Sequence, residues 1–129
     1  MKNLYKIIFG TIISIFILNG TLADEVNIYT SRHYDSDAEL YSSFTADTGI
    51  KVNIISGKGK ALMERLNSEG ANSPADVFIT VDAGNLWKVQ DYGLFASIDS
   101  RKIENTVPKI YRGENNEWIA LHKISRLSS

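Results

Sequence analysis

No cysteine occurs in the 129 residues. That absence excludes a disulfide scaffold, a Cys-ligated zinc or iron–sulfur centre and a thiol nucleophile. An excess of charge of one sign is lacking too, since 14 Lys+Arg face 15 Asp+Glu for a net charge of −1. This balance argues against a nucleic-acid binder driven by phosphate contacts. No apolar run reaches the ~20 residues that a membrane-spanning helix takes. The serine-hydrolase elbow G-x-S-x-G, the zinc-protease H-E-x-x-H and the dinucleotide-binding glycine fingerprint are all missing, so the chain is not expected to be an enzyme. What is present, 43% hydrophobic and 22% charged residues, is the composition of a globular protein. The length is that of one small domain or a piece of a larger one.

Residues 1–23 differ from the rest. Lys2 and Lys6 form a short basic start, Ile7 to Leu18 is apolar, and Thr21-Leu22-Ala23 puts small residues at the −3 and −1 positions. This is the layout of a secretory signal peptide cut after Ala23; an uncleaved amino-terminal anchor is the alternative. Cleavage leaves a mature chain, Asp24–Ser129, that has lost two lysines and no acid, so it is modestly acidic. Export would permit disulfides, yet no cysteine is available to form one, and the fold must rest on its core. The same lack excludes a cysteine-linked lipid anchor. A soluble exported protein of this kind is expected in the periplasm of a Gram-negative bacterium.

The mature chain alternates strand and helix patterns. Val26-Asn27-Ile28-Tyr29-Thr30 alternates apolar and polar residues and reads as a strand. Ser36-Asp37-Ala38-Glu39 fits a capping box for a helix over about 37–48, with Leu40, Tyr41 and Phe44 on its apolar face and Gly49 as its stop. Ile50 to Ile55 reads as a second strand and Lys60 to Glu69 as a second helix, with Leu62, Met63 and Leu66 inside and Gly70 ending it. Asp76 to Val81 is apolar enough for a strand buried on both faces. Asp82 caps a third helix that buries Leu86, Trp87 and Val89 and ends at Gly93. The order β-α-β-α-β-α implies an α/β fold with a parallel sheet covered by helices. Beyond Leu94 the pattern weakens: Pro108 breaks any helix, and Gly113 to Asn116 suggests a turn before an edge strand, Glu117 to Leu121.

Ligands of open parallel sheets bind just past the carboxyl ends of the strands. Three loops lie there: Thr30–Asp35, Ser56–Gly59 and Val81–Asn85. The first carries Arg32, His33 and Tyr34. A neutral imidazole is a good metal ligand, and a phenolate is a hard oxygen donor suited to a hard, highly charged cation. Arg32 can hold an anion beside such a metal or pair with an acid. The plainer reading is a solvated histidine in a loop, and spacing alone leaves both open. Ser56-Gly57-Lys58-Gly59-Lys60 is not a phosphate loop, because Ala61 stands where the motif needs Ser or Thr. Trp87 and Phe44 read as core and Trp118 as packing. His122 lies in an unpatterned tail, and nothing in the sequence brings it to Ser31.

Three stretches carry a resemblance: Ser31-Arg32-His33-Tyr34-Asp35 after the first strand, Glu69-Gly70-Ala71-Asn72-Ser73-Pro74-Ala75-Asp76-Val77 into the third, and Val81-Asp82-Ala83-Gly84-Asn85-Leu86-Trp87 after it. From about Val26 to Leu121 the chain resembles the start of periplasmic ferric-iron-binding proteins, the solute receptors of iron ABC transporters, in the FutA-like branch of the iron-deficiency-induced protein A family. The resemblance implies a lobe of a two-lobed α/β clamshell that holds ferric ion in its cleft. It implies His33 and Tyr34 as metal ligands, Tyr34 as phenolate and His33 neutral, so that binding releases protons and weakens at low pH. It further implies Fe³⁺ bound with a synergistic anion, and a monomer that delivers it to an inner-membrane ABC permease and its ATPase.

The same resemblance predicts a deficit. The family's main ferric ligands are tyrosines of the other lobe, which would lie beyond Ser129. Residues 24–129 are therefore expected to be a partial amino-terminal lobe with the second lobe missing. Lys123 to Ser129 departs from the family's pattern, as a shortened or frameshifted product would. An octahedral ion takes about six donors, and His33 and Tyr34 supply two. Iron binding by such a chain is expected to be weak or absent, and a remnant with little or no iron binding is the alternative function.

Overall fold

The structure is a computed structural model that describes residues 24–120. The expected leader, His122 and the tail from Lys123 to Ser129 lie outside the described residues, as does Leu121 at the end of the expected edge strand. Three strands, β1 (Glu25–Thr30), β2 (Lys51–Ser56) and β3 (Val77–Ile79), alternate with α1 (Asp35–Thr48), α2 (Gly59–Glu69) and α3 (Ala83–Asp91). The expected β-α-β-α-β-α order is thus present. A short α4 (Arg101–Thr106) follows. No described helix is long and apolar enough to cross a membrane.

All pairing is parallel, in the order β2-β1-β3, with Tyr29 in register with both Ile55 and Phe78. The central strand is therefore the first in sequence. Parallel strands in register point matched residues to the same side. Tyr29, Ile55 and Phe78 face α2 and α3, where Tyr29, Leu62, Met63, Leu66 and Val89 form the buried cluster. The next layer, Ile28, Ile54 and Val77, faces the opposite side, where α1 packs over β2.

The helix ends follow local chemistry. Gly49 sits at φ 73°, a left-handed stop that its lack of a side chain permits, and its N–H bonds the Thr45 carbonyl. The Asp82 carboxylate accepts from the Gly84 N–H at 2.8 Å, capping α3 as expected. The capping box at Ser36 does not form. Helix α1 begins earlier, at Asp35, with Tyr34 as its cap residue and no side-chain capping bond. The first turn carries Asp35 and Asp37 instead, whose charges favour a helix amino terminus.

Three packing expectations are corrected. Trp87 is 63% exposed and Phe44 lies on the surface, because α1 turns only one narrow face to β2 and α3 packs on α2, with Val89 as its buried residue. Strand β3 is three residues long and Val77 is 41% exposed, so it is not buried on both faces; no described element covers it on the α1 side. The edge strand expected over Glu117 to Leu121 is reduced, over its described part, to one antiparallel bridge between Arg112 and Ile119. Trp118 packs as expected and donates its indole N–H to Gln90 at 2.7 Å.

Candidate metal site

Because the strands are parallel, the loops after β1, β2 and β3 gather at one edge of the sheet. The strand order reverses between β1 and β3, the point where open α/β sheets leave a crevice. Here that crevice is bridged. The Ser31 hydroxyl donates to Thr80 Oγ1 at 3.3 Å, and Asn85 Nδ2 donates to the same oxygen at 3.0 Å. Gly59 starts α2 against this cluster; a Cβ there would come within 2.9 Å of Asn85 Nδ2, so only glycine fits without displacement. The open space lies instead on the β2 side, beneath the start of α1. It is a cavity of about 330 Å³ lined by Thr30, Arg32, His33, Tyr34, Asp37, Tyr41 and Ser56, among others.

His33 and Tyr34 both line this cavity, as expected of a shared site, and both are exposed. Tyr34 keeps 58% of its surface in solvent. Among the described residues no three His, Asp or Glu side chains gather as a metal cluster. The donors that meet in the cavity are thus one imidazole, the Tyr34 and Tyr41 phenols and nearby carboxylates.

Of the two roles open to Arg32, the structure shows the acid pair. Its Nη2 lies 2.8 Å from Asp37 Oδ1. Asp37, read in the sequence as part of a helix cap, is only 7% exposed and forms the buried floor of the site. The Arg32 guanidinium also lies over the Tyr34 ring, 4.8 Å from its centroid. The backbone N–H of Arg32 bonds the buried Thr30 Oγ1 at 3.0 Å, which ties the loop to the central strand. Tyr41, read as structural, also faces the cavity. Burial pushes its phenol up, the Asp37 carboxylate adds to this, and Arg32 opposes it. Asp37 and Tyr41 are one helical turn apart, so a helix that begins at Asp35 puts both on the face turned to the cavity.

No protein-family profile matches the chain. Individual relatives do. The chain is 50% identical over 103 residues to iron uptake protein A1 of Synechocystis sp., covering 80% of this chain and 29% of that protein. It is 35% identical over 94 residues to the Fe(3+)-binding periplasmic protein of Serratia marcescens. It belongs to the periplasmic ferric-iron-binding proteins. Among solved members of this ferric-binding family, the Trichodesmium IdiA (FutA) protein in complex with iron and citrate superposes with a TM-score of 0.70 at 54% identity, over 74% of this chain and 30% of that one. The ferric binding protein from Campylobacter jejuni gives a TM-score of 0.72 at 43% identity, over the same shares. The chain thus spans about 29% of the length of iron uptake protein A1, and the three-stranded parallel sheet is the part of the family fold that it describes.

Proposed function

We propose that this ferric-binding family member binds Fe³⁺ through His33 and Tyr34 and serves as the extracytoplasmic solute-binding component of an iron ABC transporter. The observation that carries this reading is the cavity at the carboxyl edge of the sheet, onto which the two residues open side by side from the central strand. Tyr34 supplies a hard anionic oxygen and His33 a neutral nitrogen, a donor pair suited to a transition-metal cation rather than to Ca²⁺ or Mg²⁺. Water or a small synergistic anion fills further positions. The chain acts by binding rather than catalysis, as a monomer, in the periplasm after cleavage at Ala23. It hands its cargo to an inner-membrane permease and that permease's ATPase. Its likeness to an iron uptake protein, an Fe(3+)-binding periplasmic protein and a FutA protein in complex with iron and citrate supports this reading.

The test is retention of iron. After equilibrium dialysis against ferric citrate, the chain keeps iron in a saturable way, and the His33→Ala/Tyr34→Ala double variant keeps none. Far-UV circular dichroism of the variant stays unchanged, because Tyr34 makes no side-chain capping bond to α1. Equal retention by the double variant contradicts the assignment.

A further inference from the structure

Arg32 and Asp37 form a half-buried ion pair in a place where solvated side chains would be cheaper. Their side chains are 29% and 10% exposed. Bringing two charges out of water is costly unless the geometry is excellent and the remaining polar atoms are satisfied. The pair meets only part of that condition. One N–H···O contact at 2.8 Å joins them, while Arg32 Nε and Asp37 Oδ2 are both buried without a partner. A guanidinium used only as a staple would turn its fork edge-on and make the two-bond contact that its geometry favours. Here its Cζ lies over the Tyr34 ring instead, 4.8 Å from the centroid.

Tyr34 needs such a contact. A ring 58% in solvent has little packing to choose its rotamer. The same two residues reference its backbone as well. The Asp37 N–H bonds the Tyr34 carbonyl at 3.0 Å, and Arg32 is tied at 3.0 Å to Thr30, the last residue of the central strand. The loop between β1 and α1 is thus fixed from both ends, and its exposed ring is held from one side.

We propose that Arg32 and Asp37 are positioning residues for Tyr34: the buried carboxylate fixes the guanidinium, and the guanidinium over the ring holds the phenol at the mouth of the cavity. The inference rests on the reading of Tyr34 as a ferric ligand, and it adds what orients that ligand before the ion arrives. A planar cation is required, so lysine is not an equivalent replacement. Without the clamp the ring is free, and ion binding must also order it, which weakens affinity by about two- to twelvefold for one side chain.

The experiment is ¹⁹F NMR of the full chain carrying 3-fluorotyrosine, recorded without metal, with the Tyr34 resonance assigned by its loss in Tyr34→Phe. In the parent this resonance is offset from free fluorotyrosine by the stacked guanidinium. Arg32→Gln and Asp37→Asn remove most of that offset and sharpen the line, while the resonances of Tyr29, Tyr92 and Tyr111, which do not line the cavity, change little. Arg32→Lys retains the charge opposite Asp37, which keeps the fold intact, and it too loses most of the offset. A Tyr34 resonance that is unchanged in Arg32→Lys and Arg32→Gln overturns the proposal. Ferric titration of the same variants then reads the loss of affinity, and variants that bind as tightly as the parent also overturn it. A parent that takes up no ferric ion contradicts the ferric reading alone, because the resonance test of the clamp is metal-free.

Discussion

Tyr29 is fully buried at the centre of the sheet, and its hydroxyl reaches both oxygens of Glu69 at 3.0 Å. Glu69 also accepts from Ser73 Oγ at 2.7 Å and Arg65 Nε at 2.6 Å. This arrangement sets two pH limits. The bonds from Ser73 and Arg65 hold the Glu69 carboxyl below its ordinary value of 4.5. A lowered folded-state pKa contributes stability that is present above the unfolded value and lost as pH falls through the folded one. Burial first, and Glu69 second, pushes the Tyr29 phenol above 10.0. A raised value contributes stability that is present below pH 10 and lost as pH rises through the folded pKa. The urea midpoint should therefore decline below pH 4.5 and again above pH 10, and Glu69→Gln should flatten the acid limb and soften the alkaline one, which keeps the part due to burial. An unchanged acid limb in that variant would show that the network is not the source. At the candidate site, the shared place of His33 and Tyr34 on the cavity was legible in the sequence, because adjacent residues after a strand share a loop. Asp37 and Tyr41 were not, since their spacing puts them on one helix face without saying that this face turns to the cavity.

The elements themselves were mostly readable. Period-two alternation marked β1, and glycines at 49, 70 and 93 marked the ends of α1, α2 and α3. The apolar triad Leu62, Met63 and Leu66 is the buried face of α2. Failures came where local pattern leaves burial undetermined. Trp87 satisfies a helical apolar stripe but faces solvent, because Val89 of the same helix takes the core position. Helix α4 gave little signal, with Ser100 capping six residues. These differences have measurable consequences in denaturant. Leu66→Ala, which opens a cavity beneath Tyr29, should cost about 3 kcal/mol. Trp87→Ala should change stability by less than about 0.5 kcal/mol, as surface substitutions do. A large cost for Trp87→Ala would mean that α3 packs with its other face inward. Asp82→Ala removes a capping bond and should cost about 1 kcal/mol.

On the scale of the whole molecule, the parallel sheet is covered on the Tyr29 face and incompletely covered on the other. Ile54 and Val77 are each 41% exposed, and Leu40 of α1 is 59% exposed. Parallel sheets are ordinarily buried on both faces, and this one belongs to a chain that spans 29% of the length of iron uptake protein A1. Fold class and strand order followed from alternation of elements. The uncovered face could not be read from the sequence, since apolar residues in a strand look the same whether or not something lies over them. An apolar surface of this kind should bind a hydrophobic dye while the chain still melts cooperatively, and Leu40→Gln with Val77→Thr should reduce the dye signal; equal dye binding by that variant would place the apolar surface elsewhere. The central claim concerns the edge of this sheet, where His33 and Tyr34 meet the cavity. Its most direct test is a ferric titration of the chain followed in the visible, where an iron–phenolate bond absorbs. The account predicts a saturable band that Tyr34→Phe abolishes while circular dichroism stays constant. A folded chain that shows no band, or a band that survives in Tyr34→Phe, would contradict it.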